Sequence, residues 1–343
     1  LSQAQPIDPN DPTLAHHFER MRAHGIHMIQ VPTPFAIGPV NSYLIEDDPL
    51  TLVDPGPNSG DSLETLEAGV RALGHQLEDV KRVIVTHQHI DHLGLVAIVV
   101  ARSDAEVTCL DRCAPWLTDY EAESSAADKF AVEMMTRHGI DKDTAIALRS
   151  VSRAFRGWGS SSRVDRVLHD GDMLEFAGRR LEVLHRPGHS ISDTIFWDSE
   201  AKLLFAADHL IKKVSSNPLL ERPRLAGEPR PQSLVNYIDS MKQTRQMPAE
   251  LVLSGHGAPI DDHVGLIDAR LEMHRKRAET LVEMLVDQAL TAHELARKTW
   301  GNIAVTQAFL TLSEVIGHMD ILVNAGRVTE TEDGGLIKFR TAT

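Results

Sequence analysis

The strongest constraint on what this chain can become is a run of six residues, His87-Gln88-His89-Ile90-Asp91-His92. It directly follows the β-branched run Val83-Ile84-Val85 and Thr86, so four groups able to bind metal stand at the end of a strand. Side chains alternate along extended backbone, which turns His87 and His89 to the same side. The apolar stretch 93–101 then reads as a helix whose first turn brings Asp91 and His92 round to the same centre. Its N-terminus would offer N–H groups and positive dipole to a hydroxide or a carboxylate. The plain alternative is a histidine-rich exposed loop. With 18 histidines in 343 residues, composition alone produces this pattern about once in 10⁵ positions, which favours a built site.

Three later segments place a His or Asp just after a strand-like run: Pro187-Gly188-His189-Ser190, Ala206-Ala207-Asp208-His209 and Ser254-Gly255-His256-Gly257. Loops at one sheet edge are where active sites are assembled. Strands are predicted at 26–31, 40–45 and 50–53, the last ending in the turn Asp54-Pro55-Gly56, and at 83–85 and 105–110. A helix is predicted over 62–73, with Leu63, Leu66, Val70 and Leu73 on one face. A second run of strands follows at 164–168, 173–176, 180–184, 194–198 and 203–206. Two rounds of strand and helix imply an α/β sandwich with two-fold internal similarity.

Between Asp111 and Arg163 the pattern is helical, broken at Gly139 and restarting at Ile140-Asp141, with Leu148, Val151 and Phe155 at helical spacing. Trp116, Tyr120, Phe130, Phe155 and Trp158 lie in this insertion. They either pack it on the main domain or form an apolar lid over a substrate pocket. A long helix is predicted over 263–290, with Ile267, Leu271, Leu281 and Leu285 on its apolar side. Thr291 and Glu294 then form a capping box. A second helix with Val315, Met319, Leu322 and Val323 on its face precedes a hairpin over 327–340 around Asp333-Gly334-Gly335. Helices followed by a hairpin suggest a small winged-helix-like unit. The expected division is a catalytic domain over 1–262, with an irregular arm in its first ten residues and the insertion at about 111–163, and a C-terminal unit over 263–343.

Charge restricts the partners. The formal net charge is −14, whereas nucleic-acid binding relies on clustered Lys and Arg. From Thr291 onward five basic residues face six acids, which is not the basic footprint of a DNA-binding wing; a structural or dimerising role fits better. Cys109 and Cys113 lack the second pair of a zinc ribbon and read as inert thiols. The apolar run 95–101 is far short of the roughly 20 residues that span a bilayer. A cytoplasmic protein with no membrane partner is expected.

In combination, Asp54-Pro55-Gly56, the His87 to His92 run, His189, Asp208 and His256 resemble the motifs of the metallo-β-lactamase superfamily. The resemblance implies a four-layer αββα sandwich with a two-metal site at one edge. It implies that His87, His89 and His189 hold one ion, that Asp91, His92 and His256 hold the other, and that Asp208 bridges them. Asp54 becomes a buried carboxylate that orients the ligand loops. His185 and His209 do not match ligand positions. Nitrogen and carboxylate donors without thiolate suit two Zn²⁺ per chain, with manganese and iron compatible with the same donors.

His89 stands where the flavodiiron branch has Glu, and Asp208 where β-lactamases of this fold have Cys or Ser, so oxygen reduction and antibiotic hydrolysis are disfavoured. An aspartate bridge is similar to that of glyoxalase II, lactonases and metal-dependent nucleases. The implied chemistry is attack by a metal-bridging hydroxide on a carbonyl, with Asp91 and Asp208 as the catalytic carboxylates and Asp91 shuttling the proton. Two zinc ions less two carboxylates and one hydroxide leave a site charge of about +1, which would draw in an anionic small molecule. A thioester, ester or lactone is the expected substrate, with a phosphodiesterase or endoribonuclease as the alternative. A regulatory protein docking through its tail is the weakest fit to a complete ligand set. The tail, with His274-Arg275-Lys276-Arg277, more loosely resembles the branch holding the mitochondrial β-lactamase-like ribonuclease and fungal polyketide thioesterases. There His274 and Arg275 either meet an anionic part of the substrate or form a solvated helix face.

Overall fold

Several strands are buried along their whole length, so both of their faces must be covered. In the computed structural model, which describes residues 7–8, 11–225 and 227–342, these strands form two sheets. The first contains β1 (Ile26–Val31), β2 (Val40–Ile45), β3 (Thr51–Val53), β4 (Arg82–Val85), β5 (Glu106–Leu110) and β6 (Arg166–Leu168), side by side in chain order. Strands β1 to β3 pair antiparallel and β3 to β6 parallel. The second sheet runs from β7 (Met173–Glu175) through β8 (Arg180–His185), β9 (Thr194–Asp198) and β10 (Leu203–Ala207) to β11 (Leu251–Ser254), antiparallel except for β10 with β11. The first ten residues lie largely outside the described residues.

The helices are α1 (Ala15–Ala23), α2 (Gly60–Ala72), α3 (Ile90–Leu93), α4 (Val96–Ser103), α5 (Ala114–Thr118), α6 (Tyr120–Arg137), α7 (Lys142–Ala154), α8 (Ser233–Arg245), α9 (His263–Glu283), α10 (Ala292–Trp300), α11 (Ile303–Thr306) and α12 (Ala308–Asn324). They make the outer layers. Leu66 and Val70 of α2 and Val96 and Val99 of α4 pack on Leu52, Val83 and Val85. Between the sheets, Tyr43, Val53 and Ile84 meet Val183, Phe196, Phe205 and Leu253. On the far side Ile195, Trp197, Leu204 and Val252 are covered by Leu234, Tyr237 and Met241 of α8 and Ile267 of α9. Ile84 thus faces one layer while Val83 and Val85 face the other, as the strand period requires. The chain is an α/β sandwich in the order αββα.

Several expectations are corrected. Segment 164–168 does not open the second sheet: β6 edges the first, parallel to β5. Parallel neighbours need a long crossover, and the 111–163 insertion is that connection. The helix expected over 93–101 is split into α3 and α4. At the break Gly94 is wedged so tightly that a Cβ would stand 2.2 Å from the Trp158 carbonyl oxygen and 2.4 Å from the Asn58 nitrogen. Leu95 N bonds the Gly56 oxygen at 2.8 Å. The α7 face is also different, since Val151 is 58% exposed. That helix docks on α6 through Ala145 and Leu148, which join the cluster of Phe130, Met134 and Met135, and through polar contacts of Arg149 and, beyond its end, Arg156 with Asp128. The helix expected to reach residue 290 stops at Glu283, because Leu290 exchanges two backbone hydrogen bonds with Phe339.

The insertion packs in two directions. Trp116 and Tyr120 join the first outer core, whereas Phe130, Met134 and Met135 join Leu281, Leu295, Leu312 and Phe339 of the C-terminal segments. There the Thr291 and Glu294 capping box is present. The hairpin of β12 (Val328–Asp333) and β13 (Leu336–Thr341) turns through Gly334 and Gly335, both at positive φ. Helix α12 is buried on nearly every side, between α8, α9 and α10. Among the described residues no helix is long and apolar enough to cross a membrane.

The Gly94 wedge predicts an asymmetry between glycines. Gly94→Ala should cost about 1–3 kcal/mol or more by overpacking against backbone. Gly60→Ala, where none of the described residues places an atom within 4 Å, should be neutral or stabilising by about 0.4–1 kcal/mol. Thermal unfolding of the two variants reads the difference, and equal melting temperatures would contradict it.

Candidate metal centre

The ends of β3, β4, β10 and β11 and the loop from β8 to β9 meet at one edge of the sandwich. Asp54 and Ala207 both take positive φ there, 51° and 43°, an uncommon conformation for residues other than glycine. The turn at Asp54 lets its carboxylate reach back over β4. It accepts from Thr86 N at 2.9 Å and Thr86 Oγ1 at 2.7 Å, and meets His92 Nδ1 at 2.8 Å. Thr86 Oγ1, with its proton committed to Asp54, accepts from His87 Nδ1 at 3.0 Å. Backbone carbonyls hold two more rings. His189 Nδ1 donates to the Asn217 oxygen at 3.1 Å and His256 Nδ1 to the Pro39 oxygen at 2.8 Å. A carbonyl only accepts, so Nδ1 of His189 and of His256 carries a proton, and Nε2, which holds a lone pair when the ring is neutral, is the atom turned inward.

Those lone pairs converge. His89 Nδ1 lies 3.1 Å from His87 Nε2 and 2.9 Å from His189 Nε2. Asp208 lies 3.5 Å from His92 Nε2, 3.5 Å from His189 Nε2 and 3.6 Å from His256 Nε2, and Asp91 lies 3.4 Å from His256 Nε2. Donors around a tetrahedral ion with bonds of about 2.0 Å stand roughly 3.3 Å apart. The buried atoms His92 Nε2, His256 Nε2 and Asp208 Oδ1 have no hydrogen-bond partner among the described residues. Buried polar atoms without partners are costly, and a cation at this point would satisfy all three. Gly255 is required here: a Cβ would stand 2.2 Å from Asp208 Oδ1.

The electrostatics agree with two kinds of imidazole. Burial, then the neighbouring His92 and His89, hold His87 well below its ordinary pKa, and burial with His189 lowers His89 to about 3. For Asp91 burial acts upward, but His92 and His256 outweigh it and bring the carboxyl to about 2. Burial also opposes charge on His92 and His256. The carboxylates of Asp208, Asp54 and Asp91 raise His92 well above 6.5, and those of Asp208 and Asp91 raise His256.

The structure therefore brings together His87, His89, Asp91, His92, His189, Asp208 and His256, with Asp54 behind them. His185 and His209 turn elsewhere, to the Ile191 oxygen and Thr244 Oγ1. Two sequence readings change. Asp91 and His92 sit on α3, a single turn of four residues, which carries little of the dipole expected from a longer helix. His274 is buried 3.4 Å from His318 Nε2, not part of a solvated face, whereas Arg275 is exposed and paired with Glu272. The carbonyls of Pro39 and Asn217 were not anticipated, and any residue type supplies a carbonyl. Thr86 carried a signal, as a hydroxyl next to the first ligand.

Residues 36–256 match the model of the Metallo-beta-lactamase superfamily. The chain is 30% identical over 324 residues, 94% of its length and 99% of the relative's, to the probable metallo-hydrolase YqjP of Bacillus subtilis (strain 168). Over 134 residues, 36% of this chain and 40% of the relative, it is 31% identical to the acyl-coenzyme A thioesterase MBLAC2 of Gallus gallus. A metallo-beta-lactamase family protein from Thermus thermophilus superposes with a TM-score of 0.75 at 27% identity, covering 92% of this chain and 98% of that one.

Raised imidazole pKa values carry a sign. The protons on His92 and His256 stabilise the metal-free fold below the unfolded value near 6.5, and that contribution is lost as pH rises through the raised values. Metal binding needs neutral rings, so it must release protons, and affinity must fall as pH falls. Calorimetric titration with Zn²⁺ at pH 7 in two buffers of different ionisation enthalpy should report release of at least about one proton per chain. Heats independent of buffer would contradict this assignment.

Proposed function

The chain belongs to the metallo-beta-lactamase superfamily and is a metal-dependent hydrolase, and from that premise we propose that it uses two zinc ions to hydrolyse a thioester, ester or lactone. The observation that carries the reading is the set of unpartnered, buried donor atoms converging on one point. His87, His89 and His189 would hold one ion, Asp91, His92 and His256 the other, and Asp208 would touch both. When bound, such a pair supplies Lewis acidity and lowers the pKa of water at the site toward about 7.

The chain's own groups do the rest. Asp54 fixes His92 directly and His87 through Thr86, so the two halves of the centre share one orienting carboxylate. Asp91, ionised at neutral pH, is positioned to take a proton and pass it to the leaving group. The open side is that of His89, His189 and Ile90, which are only half-buried. The loop that ends at Pro39 and the 3-10 turn Arg156–Trp158, anchored on Asn58 and Gly94, both flank the centre. They bring Phe35 and Phe155 within 5.7 Å of each other. An aromatic pair carried on the two segments that adjoin the centre suits an acyl chain better than a phosphodiester backbone, and the −14 charge opposes RNA. The thioesterase name of the Gallus gallus relative points the same way.

Zinc-loaded protein should turn over members of an acyl-CoA and lactone panel and leave single-stranded RNA intact. Asp208→Ala should lower kcat by about 10³-fold or more, as loss of a shared metal ligand removes the chemistry. Phe155→Ala should raise KM for long acyl chains by about tenfold, with less effect on short ones. RNA cleavage that disappears in Asp91→Ala would overturn the acyl reading in favour of a nuclease.

A further inference from the structure

Gln88 stands between two of the metal-binding histidines, yet it turns away from them and is buried. Both ends of its amide are held. Ser192 Oγ donates to Gln88 Oε1 and accepts from Gln88 N at 3.1 Å. Gln88 Nε2 donates to Glu221 Oε1 at 2.7 Å. Ser192 follows His189 by three residues, and Glu221 follows Asn217, whose carbonyl holds the His189 ring. One glutamine therefore links the loops that carry His87, His89 and His189.

The link continues outward. Leu219 N reaches the His189 oxygen at 3.4 Å, Asn217 Nδ2 donates to the Leu310 oxygen at 3.1 Å, and Leu220 N donates to Ser313 Oγ at 3.1 Å. Leu310 and Ser313 belong to the start of α12, so the 217–221 strap is pinned on the C-terminal helix. His92 and His256 take their orientation from Asp54 and Pro39, outside this network.

We propose that Gln88 and Glu221 are a positioning pair that sets occupancy of the His87, His89 and His189 ion selectively, and that the strap from α12 holds Glu221 in place to do so. The inference rests on the two-ion reading above. Loss of a group that orients metal ligands costs about 10- to 100-fold in metal affinity. Glutamine at 221 keeps the length of the side chain and an oxygen able to accept from Gln88 Nε2, so it is the conservative replacement, and burial, reinforced by Asp193, pushes the Glu221 carboxyl up to about 8.

The test is chelator competition on the full chain loaded with Zn²⁺, repeated with Co²⁺ to follow the absorption of each site. In Gln88→Ala and Glu221→Ala one of the two ions should bind about 10- to 100-fold more weakly, with its cobalt bands altered, while the other stays within about threefold. Glu221→Gln should restore both. Equal weakening of both ions, unchanged binding in Glu221→Ala, or failure of Glu221→Gln to restore would overturn the proposal. If the wild-type chain binds a single ion, the two-ion reading fails by itself, and the pair then stands or falls on whether Glu221→Ala weakens that ion.

Discussion

Five imidazoles and two carboxylates are crowded at one buried sheet edge, with their donor atoms about 3–3.6 Å apart. Such a group cannot satisfy itself. Neutral rings present lone pairs to lone pairs, and although Asp208, Asp54 and Asp91 favour a proton on His92 and His256, that charge weighs on His87 and His89 beside them in a medium that screens it poorly. A bound metal would resolve both problems, and much of the surrounding architecture serves to keep the donors facing inward. The Asp54 carboxylate, swung back by a left-handed turn, is the common anchor of the two halves. Backbone carbonyls of Pro39 and Asn217 set the remaining rings.

The layers of the fold follow from where those anchors must lie. Strands β3, β4, β10 and β11 deliver Asp54, the His87 to His92 run, Asp208 and His256 to one edge, and the inter-sheet core of Tyr43, Ile84, Phe205 and Leu253 holds the two sheets in mutual register. Tyr43 Oη and Asn41 Nδ2 both donate to the Ser254 oxygen, at 2.6 and 2.9 Å, which ties the first sheet to the end of β11 beside His256. The C-terminal helices reach the same edge from outside. Helix α12 touches the strap that carries Asn217, so a segment more than a hundred residues after His189 in sequence takes part in supporting it.

The candidate site was legible because His87, His89, Asp208 and His256 stand just past strand ends, where residue type and position can be read together, with Asp91 and His92 following in the same short run. Strand positions were legible from apolar and β-branched runs bounded by turn residues, whereas the αββα order came only with the resemblance carried by the metal-binding motifs. What escaped depended on contacts without a local pattern. The break at Gly94 comes from Trp158 and Asn58, 36 or more residues away in sequence. The choice of sheet by β6 depends on pairing with β5 across the whole insertion. Val151 had the right spacing for a buried face, but Ala145 and Leu148, with salt bridges of Arg149 and Arg156 to Asp128, set the side of the helix that docks. His274 looked like part of a basic surface run, and α12 buries it against His318.

The most direct test of the account is anomalous diffraction at the zinc edge from crystals of the zinc-loaded chain. It predicts two peaks about 3.5–4 Å apart, one among His87, His89 and His189 and the other among Asp91, His92 and His256, with Asp208 in contact with both. A single peak at this edge, or peaks only at the buried cluster of His274, Glu314 and His318, would contradict it.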